Sequence, residues 1–377
     1  MKCIRCQTDS KYKDRQSNRS CKQCGENFAF EPKTDRFGVS DGLFQHAIDD
    51  VSAKGTLFFT ERNLYYEFNR RVMKRQPSQG VVGGVALGFF SVVGSIGFAA
   101  VTASFFPLLL GVCGVAGGVA MARMSKTRAG GSPLPLVTFP DFQERYLSNW
   151  FTAHGEIEKL LKSAALGPKD PPSDTSLPAD LSAYSFDRAL VTGSREMAAM
   201  LVANRFHFEN NCAILSLNGY PEHARDTVMS MLRRNPNLTV FTVHSASYAG
   251  MRLAGHMREE PWFPDRAVRI VDLGLRPQHA VKLKLIAQLE SPGANDASGV
   301  PSMSAEEVKW LADGYFVDLA ALRPGRLMKA IYQGFARANR DLANATTDDN
   351  GVVIYSDPGG MWIGDPGADV YASDSFG

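Results

Sequence analysis

The chain has 377 residues, room for two or three domains, and its net charge of +2 hides an asymmetry. Residues 1–79 carry 15 Lys/Arg against 10 Asp/Glu, whereas the stretch after Arg340 carries 7 Asp and no base. Four of the 6 cysteines fall in one N-terminal cluster, which argues against a secreted disulfide framework and for metal in a reducing compartment; the polar, Cys-bearing start does not read as a signal peptide.

Residues 1–30 hold two CxxC pairs, Cys3/Cys6 and Cys21/Cys24. Each pair is expected to form a knuckle presenting two thiolates, and four thiolates complete a closed tetrahedral site for a structural Zn2+ with no position left for water. The segment resembles a zinc ribbon. A disulfide or redox-active reading of the same cysteines is the competing one. Lys2, Arg5, Lys11, Lys13, Arg15, Arg19 and Lys22 make an acidic partner plausible, against the plain reading of a solvated face.

Residues 40–76 read as a small helix-turn-helix. Ser40 caps a first helix with Leu43, Phe44, Ala47, Ile48 and Val51 at helical spacing; Gly55 breaks it, and Thr60 caps a second with Leu64, Tyr65, Phe68 and Val72 on its apolar face. Two uses stay open: a DNA-reading element, or a basic juxtamembrane helix on anionic headgroups. Residues 80–124 carry no charge until Arg123, and Pro107 sits just past the middle. About 20 helical residues cross a bilayer core, so this run is read as a two-helix transmembrane hairpin over 80–101 and 107–124. Basic residues on both flanks (Arg70, Arg71, Lys74, Arg75; Arg123, Lys126, Arg128) place both termini in the cytoplasm, in an inner or plasma membrane. Gly80/Gly84/Gly88 and Gly114/Gly118 have the small-xxx-small spacing of close helix packing, for hairpin closure or a homo-oligomer.

After a 126–137 linker, residues 138–163 are expected as an amphipathic helix whose aromatics (Phe139, Phe142, Tyr146, Trp150) sit in a membrane interface or pack on the next domain. The Pro-rich stretch 164–183 reads as a linker. From 184 to 342 short apolar runs (189–192, 212–217, 238–243, 267–273) alternate with helical ones, the pattern of an α/β domain with a parallel, Rossmann-like sheet. Ligands in such sheets bind at the carboxyl ends of the strands, here Gly193/Ser194, Asn218/Gly219, His244–Ser247 and Gly274. VTGSRE (191–196) makes Gly193 and Ser194 candidates for phosphate or nucleotide binding, but one glycine is present and no full phosphate-loop motif. His244 is a candidate base or ligand, set against a hydrogen-bonded histidine at a strand end. Residues 343–377 form an acidic Gly/Ser-rich tail in which GVVIYSD and GGMWIGD could pair as a hairpin or stay disordered.

LFFTERNLYYEF (57–68), LSLNGYPEHAR (215–225) and TVHSASYAG (242–250) resemble segments of the A subunit of type VI DNA topoisomerases and the related meiotic double-strand-break proteins. That resemblance implies a Toprim-like domain and places Tyr66, with Arg62 nearby, at the tyrosine that attacks a DNA phosphodiester. It also implies metal carboxylates that this chain lacks: Gly193, or at best Glu196, stands at the glutamate position, and His244 and Ala246 stand at the two aspartates. Without clustered carboxylates Mg2+-dependent strand cleavage is not expected.

The sequence reading is thus a multidomain chain: zinc ribbon, helix-turn-helix, transmembrane hairpin and C-terminal α/β Toprim-like domain. Its expected function is a membrane-anchored binding or scaffold protein, with the lipid bilayer and DNA or a protein as partners. The alternatives are a DNA- or nucleotide-processing enzyme and a membrane-acting effector working through the glycine-rich hairpin.

Overall fold

The computed structural model describes residues 1–17, 19–75, 131–162, 186–218, 226, 228–231, 238–259, 262, 268–290, 303–342 and 352–354. Its centre is a five-stranded sheet of β3 (Arg188–Thr192), β4 (Cys212–Ser216), β5 (Thr239–Val243), β6 (Arg269–Asp272) and β9 (Val352–Ile354), in spatial order β4-β3-β5-β6-β9. All four pairings are parallel, with Leu190 opposite Ile214 on one side and Phe241 on the other. Strands buried on both faces need continuous apolar runs, which is why RALVT, CAILS and TVFTV carry so few polar residues.

The period-2 alternation divides the core. Leu190, Ile214, Phe241 and Val271 join Met200 of the helix Arg195–Ala203 and Phe335 of the helix Pro324–Leu342 on one face. Ala189, Val191, Leu215, Val240 and Ile270 join Leu253, Met257 and Trp262 on the other. The Phe241 and Phe335 rings sit 4.5 Å apart. β9 comes from the acidic tail: Val352–Ile354 adds a parallel edge strand to β6 rather than pairing in a hairpin with GGMWIGD, which lies outside the described residues.

Towards the N-terminus, α1 (Tyr12–Ser17) lies within the cysteine segment, and α2 (Asp41–Val51) and α3 (Glu61–Arg75) pack as a pair. Ser40 accepts the Leu43 N–H and Thr60 accepts the Asn63 N–H, each satisfying a donor of a first helical turn. The amphipathic stretch is shorter than 138–163. It runs through Phe139–Asp141, a π-helical turn Phe142–Leu147 and Ser148–His154, and stops where Gly155 takes φ +81°. The chain then returns as β2 (Leu160–Leu161), parallel to β1 (Phe59–Thr60). β7 (Gln288–Leu289) and β8 (Tyr315–Phe316) make a small antiparallel pair.

These contacts correct the expected fold class. No helix among the described residues is long and apolar enough to cross a membrane. The transmembrane hairpin placed over 80–124 lies outside the described residues, and the membrane localisation that rested on it is withdrawn with it. What is present is a parallel-sheet α/β domain with an N-terminal cysteine cluster. The aromatic faces of the elements flanking that run are spent on protein. Leu64, Tyr65, Tyr66 and Phe68 of α3 are almost wholly buried in protein, and so are Phe142, Tyr146 and Trp150. Phe44 stacks 4.8 Å from Trp150, and Phe68 lies 4.7 Å from Tyr146. An aromatic belt needs its rings at the headgroups; these rings fill a core that α2 and α3 share with one face of the sheet.

Candidate metal centre and strand-end site

The N-terminal segment is built as one knuckle used twice, eighteen residues apart. In the first, Cys3 N–H donates to Thr8 O, Gln7 N–H to Cys3 O, and Lys2 pairs with Asp9. In the second, Cys21 N–H donates to Glu26 O, Gly25 N–H to Cys21 O, and Ser20 pairs with Asn27. Gln7 and Gly25 both take positive φ, +61° and +74°, which turns each loop tightly enough to aim two thiols inward. The sulfurs of Cys3, Cys6, Cys21 and Cys24 all lie within 4.8 Å of one another, with Cys3–Cys24 at 3.7 Å and Cys6–Cys21 at 3.6 Å. Four thiolates each about 2.3 Å from one tetrahedral ion would stand about 3.8 Å apart, so the spacing fits a metal and is far from a disulfide.

The electrostatics point the same way. The Thr8 hydroxyl and N–H hold the Cys6 thiol down at about 6, while Cys24 is pushed up to about 12: the Glu26 N–H favours its thiolate, but lost hydration and the neighbouring sulfurs outweigh that. Four thiolates this close cannot coexist without a cation among them. The module is also seated on the rest of the protein. The fully buried Asp41 carboxylate accepts the Ala29 and Phe30 N–H groups, both at 3.0 Å. His154 then bridges Asp41 (2.9 Å) and Glu26 (3.1 Å).

The second polar cluster lies at the carboxyl edge of the sheet, where β5 and β6 end. Beside it the chain passes from β3 outward to β4 and then back to β5, so the winding reverses between β3 and β5, the place where open α/β sheets take ligands. His244, 1% exposed, places Nε2 3.2 Å from Asp272 Oδ1, and its Nδ1 is 2.9 Å from Ser245 O. The Thr242 hydroxyl and the Gly274 N–H also donate to Asp272. Nearby, the Arg62 guanidinium reaches from α3 to Glu196 at 3.8 Å and Asp318 at 3.7 Å, and lies 4.8 Å over the Phe139 ring. The Ser245 hydroxyl joins the cluster by donating to Asp318 at 3.4 Å and accepting the Leu319 N–H.

The sequence candidates fall around this edge with defined local tasks. Gly193 N–H donates to Val243 O, continuing the ladder one residue past β3. Ser194 caps the helix Arg195–Ala203 by accepting the Met197 N–H, so its hydroxyl serves the backbone. Ala246 is fully buried and bridges to Val317. Tyr66 is 1% exposed; its hydroxyl accepts a hydrogen bond from Gln288 at 2.7 Å, and burial raises its pKa well above the ordinary tyrosine value. A phenol that is enclosed and kept protonated is a weak nucleophile.

Two members of this architecture were not singled out from the sequence. Asp318 enters only because Val317, just after β8, bridges back to Ala246 beyond the end of β5. The buried Arg276–Glu307 bidentate pair, at 3.0 and 2.7 Å, joins the N-cap of the helix Pro277–Lys282 to the first turn of the helix Ala305–Ala312, 31 residues on. Glu307 does announce itself locally, since Ser304-x-x-Glu307 is a capping box and the structure makes both of its bonds. Comparison of the chain with protein-family models and with curated proteins finds no match.

Proposed function

We propose that the protein is a non-catalytic binding or scaffold protein, with structural zinc in the tetracysteine module and nucleic acid as its partner. The observation that carries this reading is the internal neutralisation of the strand-end carboxylates. Asp272 is matched by His244, and Glu196 and Asp318 share Arg62. Phosphoryl chemistry with Mg2+ needs carboxylates open to the ion, and here a guanidinium bridges two of them. In the terms of the topoisomerase resemblance, Gly193, His244 and Ala246 stand where acids would be, and the Tyr66 hydroxyl faces Gln288. Zinc is supported by the all-sulfur donor set and its near-tetrahedral spacing. Nucleic acid is supported by the exposed cations of the module, among them Lys2, Lys11, Lys13, Arg19 and Lys22.

The test is fluorescence anisotropy of the full chain with a labelled duplex at several salt concentrations. The reading requires binding whose logarithm falls linearly with log salt; no binding at about 50 mM salt would retire it. A supercoiled-plasmid assay with Mg2+ or Mn2+ should show no nicking by wild type or Tyr66→Phe. Nicking that only the wild type performs would establish the enzymatic alternative instead.

A further inference from the structure

Between the tetracysteine module and the start of α2 lies a groove of about 470 Å3. Its lining carries Lys2, Arg15, Lys33, Arg75, the imidazole of His46 and a single carboxylate, Glu31; the N-terminal ammonium of Met1, also in the lining, is paired with Asp9 at 2.8 Å. The Glu31 carboxylate is already committed: Arg15, 7% exposed, holds it through two bonds at 2.8 and 3.1 Å. His46 has Asp49 at 3.7 Å. Lys2, Lys33 and Arg75 are exposed and form no ion pair among the described residues; Asp9, bonded to the N-terminal ammonium, also feels the Lys2 charge, so the excess positive charge of the groove rests mainly on Lys33 and Arg75 with Lys2 beside them.

The backbone adds to the same field. Ser40, Gly42 and Leu43 line the groove, so the first turn of the eleven-residue α2 faces it with the positive end of its dipole. Asp41, the acid within that turn, points its carboxylate away to the Ala29 and Phe30 N–H groups. Cations also continue past the rim. Lys33 sits 4.6 Å over the Tyr12 ring, and the chain neighbours of Tyr12, Lys11 and Lys13, are exposed. A single small anion would need only the groove; charges strung beyond it suit a ligand with repeating phosphates.

We propose that this groove is a binding site for the phosphate backbone of a nucleic acid, the place where the partner of the proposed function docks, and it rests on that reading. Backbone phosphates contacted by Lys and Arg bring sequence-independent affinity and release counterions.

The experiment compares three full-length proteins by anisotropy with a labelled 20-base-pair duplex: wild type, the groove triple Lys2→Gln/Lys33→Gln/Arg75→Gln, and a control triple Lys282→Gln/Lys284→Gln/Lys309→Gln of equal charge loss on the α/β domain. Circular dichroism and bound-metal stoichiometry establish that each is folded. The groove triple should bind at least about tenfold more weakly near 100 mM salt, and its log–log salt slope should be shallower by about 2 to 3. The control triple should match wild type. If wild type binds and the groove triple keeps its affinity and slope, the groove assignment is overturned while the proposed function stands. Equal weakening by both triples overturns it too, because binding then follows net charge alone. If polyglutamate displaces the duplex as well as unlabelled duplex does, the groove belongs to acidic peptides and the nucleic-acid assignment falls. No binding by wild type removes the proposed function itself.

Discussion

His244 and Asp272 form an ion pair at the carboxyl edge of the sheet, with Nε2 3.2 Å from one carboxylate oxygen and 3.3 Å from the other. Both imidazole nitrogens are engaged, since Nδ1 donates to Ser245 O, and an imidazole with two acceptors holds two protons.

That pair predicts a pH signature. Burial lowers the His244 pKa, but the Asp272 charge and hydrogen bond outweigh it and the net shift is upward. The folded protein therefore holds this proton more tightly than the unfolded chain. The stabilisation is complete below about pH 6.5 and is lost as pH rises through the folded value. Asp272 is held below its ordinary value: burial opposes ionisation and the His244 charge overcomes it, so its contribution is present above about pH 4 and lost on acidification. Asp272→Asn should cost about 2–3 kcal/mol near neutrality. It should also invert the His244 contribution, making the variant relatively more stable at pH 8 than at pH 6. Urea denaturation of both proteins across pH 5.5–8.5 measures this, and parallel curves would contradict it.

The glycines around His244 set a steric prediction. A Cβ on Gly274 would lie 1.9 Å from His244 Nε2, and one on Gly250 would lie 2.2 Å from Ser245 O. Gly193 would meet nothing nearer than His244 Cβ at 4.0 Å. Gly274→Ala and Gly250→Ala should destabilise by at least about 1–3 kcal/mol, and Gly193→Ala by less than about 1. Comparing the three melting midpoints settles the ranking.

Asn69 is a buried clamp. Its Oδ1 accepts the Leu136 and Val137 N–H groups, both at 3.0 Å, and its Nδ2 donates to Tyr65 O and Val137 O. Asn69→Ala leaves those N–H groups without a partner inside the protein and should cost about 2–4 kcal/mol. Hydrogen exchange should show faster exchange at Leu136 and Val137. An unchanged rate there would mean the clamp does not hold that segment.

Removal of metal should unseat the N-terminal module selectively. A strong chelator, or Cys3→Ser, should open residues 1–30 to limited proteolysis, because the module's own core is little more than Cys3, Cys21 and Phe28. The sheet domain should stay protected, since only Ala29 and Phe30 of the module, with Ile4 against them, enter its large core and none enters the cluster on the other face. Native mass spectrometry should show one metal ion lost. Protection of 1–30 in the metal-free protein would show that the module folds without the ion.

The strands were legible because burial on both faces writes itself as short apolar runs. Arg188–Thr192, Cys212–Ser216, Thr239–Val243 and Arg269–Asp272 each lie within two residues of the runs seen in the sequence. The tetracysteine cluster was legible because CxxC spacing is a local geometry. What the sequence left open was the environment of Phe142, Tyr146 and Trp150. An amphipathic aromatic stripe looks the same whether it meets lipid or protein, and only its contacts with Phe44 and Phe68 distinguish the two.

By itself, the sequence determined the local facts of this protein: four thiols at knuckle spacing, the caps at Ser40 and Thr60, and a run of parallel strands. Tertiary structure alone decided which distant groups meet. Asn204 is locked to the Phe58 backbone, Asn63 to Ala320 and Leu322, Arg323 to Glu67 and Asp50, and Arg62 to Glu196 and Asp318. The physical reason is range. Caps, turns and periodicity are satisfied within a few residues, whereas a buried charge accepts a partner from anywhere in the chain, and packing the whole core selects which one arrives.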